Sequence, residues 1–369
     1  MPSLHGGPRP KSRFWRYAAL LFFPLAMVTM MISFMLGAMF QPTPRDMPVA
    51  VAGPSIEQAQ ATADGLDRQL DGYFDFHVVG TAEQARAQVQ DREAAGAFVL
   101  PSAQSPQATV LVNQAANSSS ATLVERIFTQ VAQGQDLPVA TEDVAPLPAH
   151  DSAGVVSMYI AMGWIMSGFL VVVVGANAAP TSRPLRRLLP LVGVYSVFMS
   201  AVTWLIAGPI TGSISGHFWT LLAIGIVAIT CTAMFSAVLE RLFGMLSVVP
   251  IVAVLMFLGV PASNGAMSVY MEPGAFRWLH DVLPMPAGVE SARSILYFGG
   301  DGVGGHLLVF ALWGAISLAV VALIDRIKPL RTETPRHLHP EVVPAESAAV
   351  AAGSSQDTLP GREKELVDA

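Results

Sequence analysis

Six stretches of this chain run for about the length of a bilayer crossing without one charged side chain. They are Tyr17–Phe40, Val155–Ala178, Leu188–Ile210, His217–Leu239, Leu242–Ala262 and Leu307–Ile324. A helix needs roughly 20 apolar residues to cross the hydrocarbon core, and inside lipid only a helix or a closed barrel satisfies its own backbone. Composition supports that reading: 52% of the 369 residues are hydrophobic, 13% are charged and the mean hydropathy is +0.50. A soluble protein of this length could not cover its surface with so few polar groups. The first run is longer than the apolar core of a secretory signal, and no A-x-A site follows it, so a retained span is expected.

The net charge of −6 is less informative than where the charges sit. Arg9, Lys11, Arg13 and Arg16 precede the first run. Arg183, Arg186 and Arg187 fall between the second and third, Arg241 between the fourth and fifth, and Arg326, Lys328 and Arg331 after the sixth. Six crossings put all of these on one side, which the positive-inside bias makes the cytoplasm. Both termini (1–16 and the Pro/Ala/Glu/Ser-rich, disordered 326–369) are then cytoplasmic. The loop around the three arginines is broken by Pro180, Pro184 and Pro190, leaving room for about one helical turn. Cys231, the single cysteine, lies within the fourth run, so no intrachain disulfide exists and a packing role is expected.

Residues 41–154 differ in texture, with fourteen Asp and Glu against five Arg and no Lys. "MPVAVAG", "YFDFHVVG", "GAFVL" and "ATVLVN" read as strands. Helical spacing marks 56–70, a capping pattern starts a helix at Thr81, and Leu123, Ile127, Phe128 and Val131 share one face of another helix. The order β-α-β-α-β-β-α-β predicts an extracytoplasmic α/β domain of mixed sheet, inserted after the first of six transmembrane helices. Asn117-Ser118-Ser119 matches the glycosylation sequon by pattern alone.

Chemistry-bearing motifs are scarce. There is no Walker A loop, H-E-x-x-H or G-x-S-x-G, and "GDGVGG" at Gly300 lacks a surrounding βαβ unit. No catalytic residue, metal site or cofactor is expected, and nucleic acid is not an expected partner. The spans lack the buried carboxylate or histidine of ion-coupled transporters. They carry small residues at helix-packing spacing instead: Gly163 and Ser167, then Ala311, Ala315 and Ala319. Residues 263–306 are too polar to span but rich in interfacial aromatics. Within them "PMPAGVESARSILYF" is expected to form an amphipathic outer-surface or re-entrant helix. Glu290 and Arg293 would share its exposed side, as an i,i+3 pair worth only tenths of a kcal/mol.

That segment, with Leu283, Pro284, Glu290, Arg293, Ile295, Leu296, Gly299 and Gly300 in place, resembles the stretch before the last span of type-2 ATP-binding-cassette exporter permeases. The plan of one span, an outer α/β domain and five further spans is similar to the phage-infection-protein-like subgroup, over about Phe14 to Asp325. The resemblance implies an exporter subunit moving a hydrophobic or polymeric substrate outward. It implies a separate ATP-binding subunit and a second permease subunit, or a homodimer. Arg183, Arg186 and Arg187 would then dock on an acidic groove of the ATPase; topology and lipid headgroups account for them equally. The competing class is a non-transporting envelope scaffold or secretion accessory whose outer domain binds other proteins.

Overall fold

The computed structural model describes residues 13–327 except 41, 71, 104 and 179–183. Arg183, Pro180 and the tail from residue 328 therefore lie outside the described residues, as do Arg9 and Lys11. The chain opens with α1 (Arg13–Met39), which contains Pro24. It then enters β1 (Met47–Ala52), α2 (Ile56–Gln69), β2 (Phe74–Val79), α3 (Ala82–Gln90), β3 (Gly96–Val99), β4 (Ala108–Val112), α4 (Ser118–Gly134) and β5 (Val139–Asp143). That is the order the sequence pattern predicts.

The five strands stand in the order β2-β1-β3-β4-β5, with β4 antiparallel to β3 and the other neighbours parallel. Side chains alternate across the sheet with the period of two that a pleat imposes. Met47, Val49, Phe98, Val110 and Val112 pack with α4 and part of α2. Ala50, Ala52, Ala97 and Leu111 pack with Ala85 and Val89 of α3 on the other face. Phe128 of α4 anchors the first layer, stacked on Phe98 at 5.5 Å and tilted on Phe74 at 5.4 Å.

The remaining helices are α5 (Val156–Ala178), α6 (Leu185–Leu205, continued by a π turn at Ile206–Ile210), α7 (Phe218–Phe243), α8 (Val248–Val252), α9 (Ala275–Val282), α10 (Pro284–Tyr297) and α11 (Val303–Ile327). Among the described residues four helices are long and apolar enough to cross a membrane: Val156–Ala176, Leu185–Ile210, Phe218–Phe243 and Val303–Ile327. Shorter apolar stretches, Pro24–Met39 and Val248–Leu258, stand where the first and fifth spans were expected.

The fifth run corrects the expectation of one regular helix over Leu242–Ala262. Leu242 and Phe243 still belong to α7, and Gly244 then takes φ 58°, a conformation that stops the helix. A 3₁₀ turn, the short α8, a π turn over Ala253–Leu258 and a second 3₁₀ turn at Pro261–Ser263 follow. Pro250 and Pro261 each lack the N–H that a continuous helix would need.

The small residues singled out in the spans take different positions in the packing. Gly163 faces Thr203 of α6 at an ordinary 3.7 Å, and the buried Ser167 donates back to the Gly163 carbonyl at 2.7 Å. At Gly168 a neighbouring backbone comes close: an added Cβ would lie 2.5 Å from the Ile229 carbonyl oxygen of α7. Gly225 is equally crowded, by Ser200 and the buried Trp164. Ala311, Ala315 and Ala319 are all exposed; α11 packs through Phe310, Gly314, Ser317 and Val321. Within this single chain the alanine stripe is thus left open on α11, on a side other than the one that meets its neighbouring helices. Gly168→Leu is expected to destabilise by about 1–3 kcal/mol through overpacking against backbone. Thermal unfolding in detergent, compared with Gly193→Leu, which meets open space, checks this.

Candidate functional site

The sheet and the far ends of the helices hold the polar chemistry, so each end of α5 is a place to look. At its start, the Asp151 carboxylate accepts from the Val155 and Val156 N–H groups at 3.0 and 3.2 Å. Its Oδ2 also accepts from the Tyr297 hydroxyl of α10. Burial, then this hydrogen bond, pushes the Tyr297 phenol well above its ordinary range.

α10 begins as the sequence predicts, with Leu283 extended and Pro284 in the first turn, where its missing N–H costs nothing. Its surroundings are not as expected. Every residue from Pro284 to Ile295 is buried, so α10 is no exposed amphipathic element. Glu290 and Arg293 pair at i,i+3 inside the protein, with side-chain exposures of 8% and 2%. The reason is that the α/β segment supplies the polar partners that solvent was expected to supply.

Glu290 Oε1 accepts from Arg293 and from the Asn264 amide at 3.1 Å, while Oε2 accepts from Arg92 Nη1 at 3.3 Å. Arg293 Nη2 donates to the Asn264 carbonyl at 2.7 Å. Arg92 donates further to Ser294 Oγ and the Asp301 carbonyl, both at 3.1 Å, and its guanidinium lies 4.6 Å over the Phe298 ring. Burial alone would raise the Glu290 carboxyl. Arg293 foremost, with His280, Asn264 and Arg92, outweighs that and holds it below the usual carboxylate range.

Two of these residues have the left-handed backbone that non-glycine residues seldom adopt: Arg92 at φ 64° and Asn264 at φ 56°. Arg92 stands just past the end of α3, where glycine is the common choice, and an arginine is held there with its side chain aimed at α10. Asn117 caps α4 by accepting from Ser120 N–H at 3.0 Å, and its amide donates to the Asn264 carbonyl at 2.9 Å. Buried to 7% exposure and bonded on both sides, Asn117 is closed to glycosylation. A cavity of about 340 Å³ opens beside this network, walled by Arg92, Asn117, Asn264, His280, Glu290 and His306. Sequence reasoning singled out Glu290 and Arg293, noted Asn117 only as a sequon, and missed Arg92 and Asn264; Arg92 lies 198 positions from Glu290 in the chain. Five arginines among so many acids was the available signal.

The other end of the helices carries the basic residues. Arg186 and Arg187 are not in a loop: α6 starts at Leu185, with Pro184 preceding it and Pro190 inside it. Both arginines are exposed on the first turn, while Leu188 is buried against Val172, Val192, Met234 and Val321. That cluster comes from the late turns of α5, α7 and α11, so it lies at the end remote from the sheet. The 23 residues of α5 separate the two ends by roughly 35 Å. Nearby, Arg241 closes α7 onto α11 with a two-point contact to Asp325 at 2.7 and 3.2 Å.

No group of three or more His, Cys, Asp and Glu side chains fit to hold a metal occurs among the described residues. Apolar helices of spanning length, a polar sheet at one end and basic side chains at the other define a multi-span membrane protein. A family model described as ABC-2 family transporter protein matches residues 15–323, and the chain belongs to that family. It is thus a membrane transport component of the permease kind, in a family that works with an ATP-binding subunit. Comparison with curated proteins and with solved structures returns no match.

Proposed function

We propose that the chain is the permease subunit of an ABC-type exporter of the phage-infection-protein-like kind. It crosses the membrane six times, with α1 and the irregular 248–263 segment as first and fifth crossings. Residues 41–154 and α10 lie outside, and both termini lie in the cytoplasm. A separate ATPase supplies the energy, a second permease subunit or a second copy completes the path, and the substrate is hydrophobic or polymeric and leaves the cell.

One observation carries the coupling role: two exposed arginines on the first turn of α6, at the helix end remote from the sheet. Both side chains are exposed there, so their positive charge is open to an anionic surface that approaches this turn. An acidic groove on an ATPase provides that surface, and Arg183 lies close enough in sequence to join it. The buried Leu188 and the Arg241–Asp325 contact tie this turn to α5, α7 and α11, so force applied at the arginines reaches the bundle.

Arg186→Ala with Arg187→Ala is expected to reduce recovery of the ATPase by tenfold or more while membrane insertion is unchanged. Arg186→Lys with Arg187→Lys keeps topology and most of the association. Full association in the double alanine variant would remove the coupling role.

A further inference from the structure

A second site lies at the opposite edge of the sheet. β1-α2-β2 winds over one face, and β2-α3-β3 returns over the other to place β3 on the far side of β1. The strand order therefore reverses between β1 and β3. In open α/β sheets ligands bind beyond the carboxyl ends of the strands near such a reversal; here the turn after β1 leads to α2 on one face, the turn after β2 to α3 on the other, and β3 runs on into its hairpin with β4, leaving a gap between them. A crevice of about 660 Å³ occupies that gap, within the usual range for ligand clefts. Its walls come from the turns after β1 (Gly53, Pro54), β2 (Gly80, Thr81) and β3 (Leu100, Ser102).

This edge faces away from the helices. The hydrogen bonds described above between the sheet segment and the helical part leave from the other side, through Arg92, Asn117 and Asp151. So do the Arg45 N–H bond to the Tyr270 carbonyl and the Arg277 contact with Asp46. The crevice is the part of the α/β segment best placed to meet a ligand that never touches the bundle.

The lining selects the ligand's chemistry. The positive starts of α2 and α3 are already compensated: Ser55 and Thr81 cap them, Glu57 and Glu83 occupy their first turns, and Gln84 accepts from Gly80 N–H at 2.9 Å. An anion would meet Glu83 and Glu142. Within the lining Arg86 pairs with Glu142, linking α3 to β5, and both remain nearly half exposed at 43% and 46%. The pair sets strong donors beside strong acceptors. Ser102, Ser105, Gln107 and Thr81 add hydroxyl and amide groups that donate and accept. Adjacent hydroxyls of a sugar match such an alternation, and Leu100 and Leu111 give its C–H face an apolar floor. We propose that the β1/β3 crevice binds a neutral saccharide, independently of whether an ATPase partners this chain.

The test uses the full chain in lipid nanodiscs with maltotriose and N-acetylglucosamine trimer as probes, followed by saturation-transfer NMR and titration calorimetry. Inorganic phosphate and spermidine serve as anionic and cationic comparators. Binding of at least one saccharide is expected, weakened tenfold or more by Glu142→Gln. Gln107→Trp, an exposed position whose new ring fills the crevice, should abolish it without touching the ion pair. Absence of binding by both saccharides, binding that neither substitution changes, or tighter binding of phosphate or spermidine would each overturn the proposal.

Discussion

Replacing Arg293 with alanine is expected to destabilise the protein by about 3–5 kcal/mol, the cost of leaving a buried carboxylate without its principal partner. Glu290 retains only Asn264 and the longer Arg92 contact in that variant. Desolvation, now opposed by less positive charge, should push the carboxyl toward its protonated form. The loss should therefore shrink in acid, whereas wild type loses stability as pH falls through the depressed Glu290 range. Removing both charges, as Glu290→Leu with Arg293→Met, should recover most of the loss, since a well-packed apolar pair is often as stable as a buried ion pair. Arg92→Ala should cost less, because Arg293 stays in place. Its distinct signature is faster hydrogen exchange at α3 and α10 together, because Arg92 is the arginine that ties the sheet segment to α10. Thermal unfolding of each variant in one detergent measures the first effect, and exchange mass spectrometry the second.

The second large effect concerns a residue outside that network. Glu272 follows the 3₁₀ turn Val269–Met271, is fully buried, and neither carboxylate oxygen has a hydrogen-bond partner among the described residues. Burial pushes its carboxyl up to about 8. The folded state then binds this proton more tightly than the unfolded chain, whose Glu titrates near 4.5. Stability from this group is full below about pH 4.5 and is lost as pH rises toward 8, by an amount on the order of a few kcal/mol. The sign is opposite to that of Glu290. Glu272→Gln should flatten the dependence between those limits and exceed wild type in stability at pH 8.5. Parallel melting curves of wild type and Glu272→Gln at pH 5.5 and 8.5 decide the matter; curves that move in step would contradict it.

Long apolar runs were legible because a bilayer-spanning helix needs nothing but length and uniformity, as at Phe218–Phe243. The strand and helix order of residues 47–143 was legible for a different reason: local pattern agrees with local structure, as at Thr81, whose side chain caps α3 as the sequence suggested. Failure came wherever distant segments decide. Glu290 and Arg293 look solvent-facing because helical spacing cannot reveal that Arg92 and Asn264 arrive from elsewhere to bury them. Ala311, Ala315 and Ala319 look like a contact stripe, yet within the chain α11 meets its neighbours through Phe310, Gly314 and Ser317. Pro190 reads as a loop breaker, yet α6 runs through it from Leu185 to Leu205. Gly168 and Gly225 carry no local signal at all; only the approach of a second helix gives them meaning.

The geometry also relates the two ends of the molecule. Tyr297 joins α10 to Asp151 at the start of α5, and the far end of α5 packs with the turn that presents Arg186 and Arg187. A movement imposed on the first turn of α6 therefore has a continuous packed route to the Glu290 network. Whether that route carries energy depends on a nucleotide-hydrolysing partner.

The most direct measurement is gentle purification of a tagged copy from its native membrane, with mass spectrometry of all accompanying proteins and assay of ATP hydrolysis in the preparation. The expected result is an ATP-binding subunit in stoichiometric amount whose hydrolysis is lost with Arg186→Ala/Arg187→Ala. Recovery of envelope or secretion proteins with no ATP-binding subunit, before and after chemical cross-linking, would contradict the exporter assignment and leave a scaffold in its place.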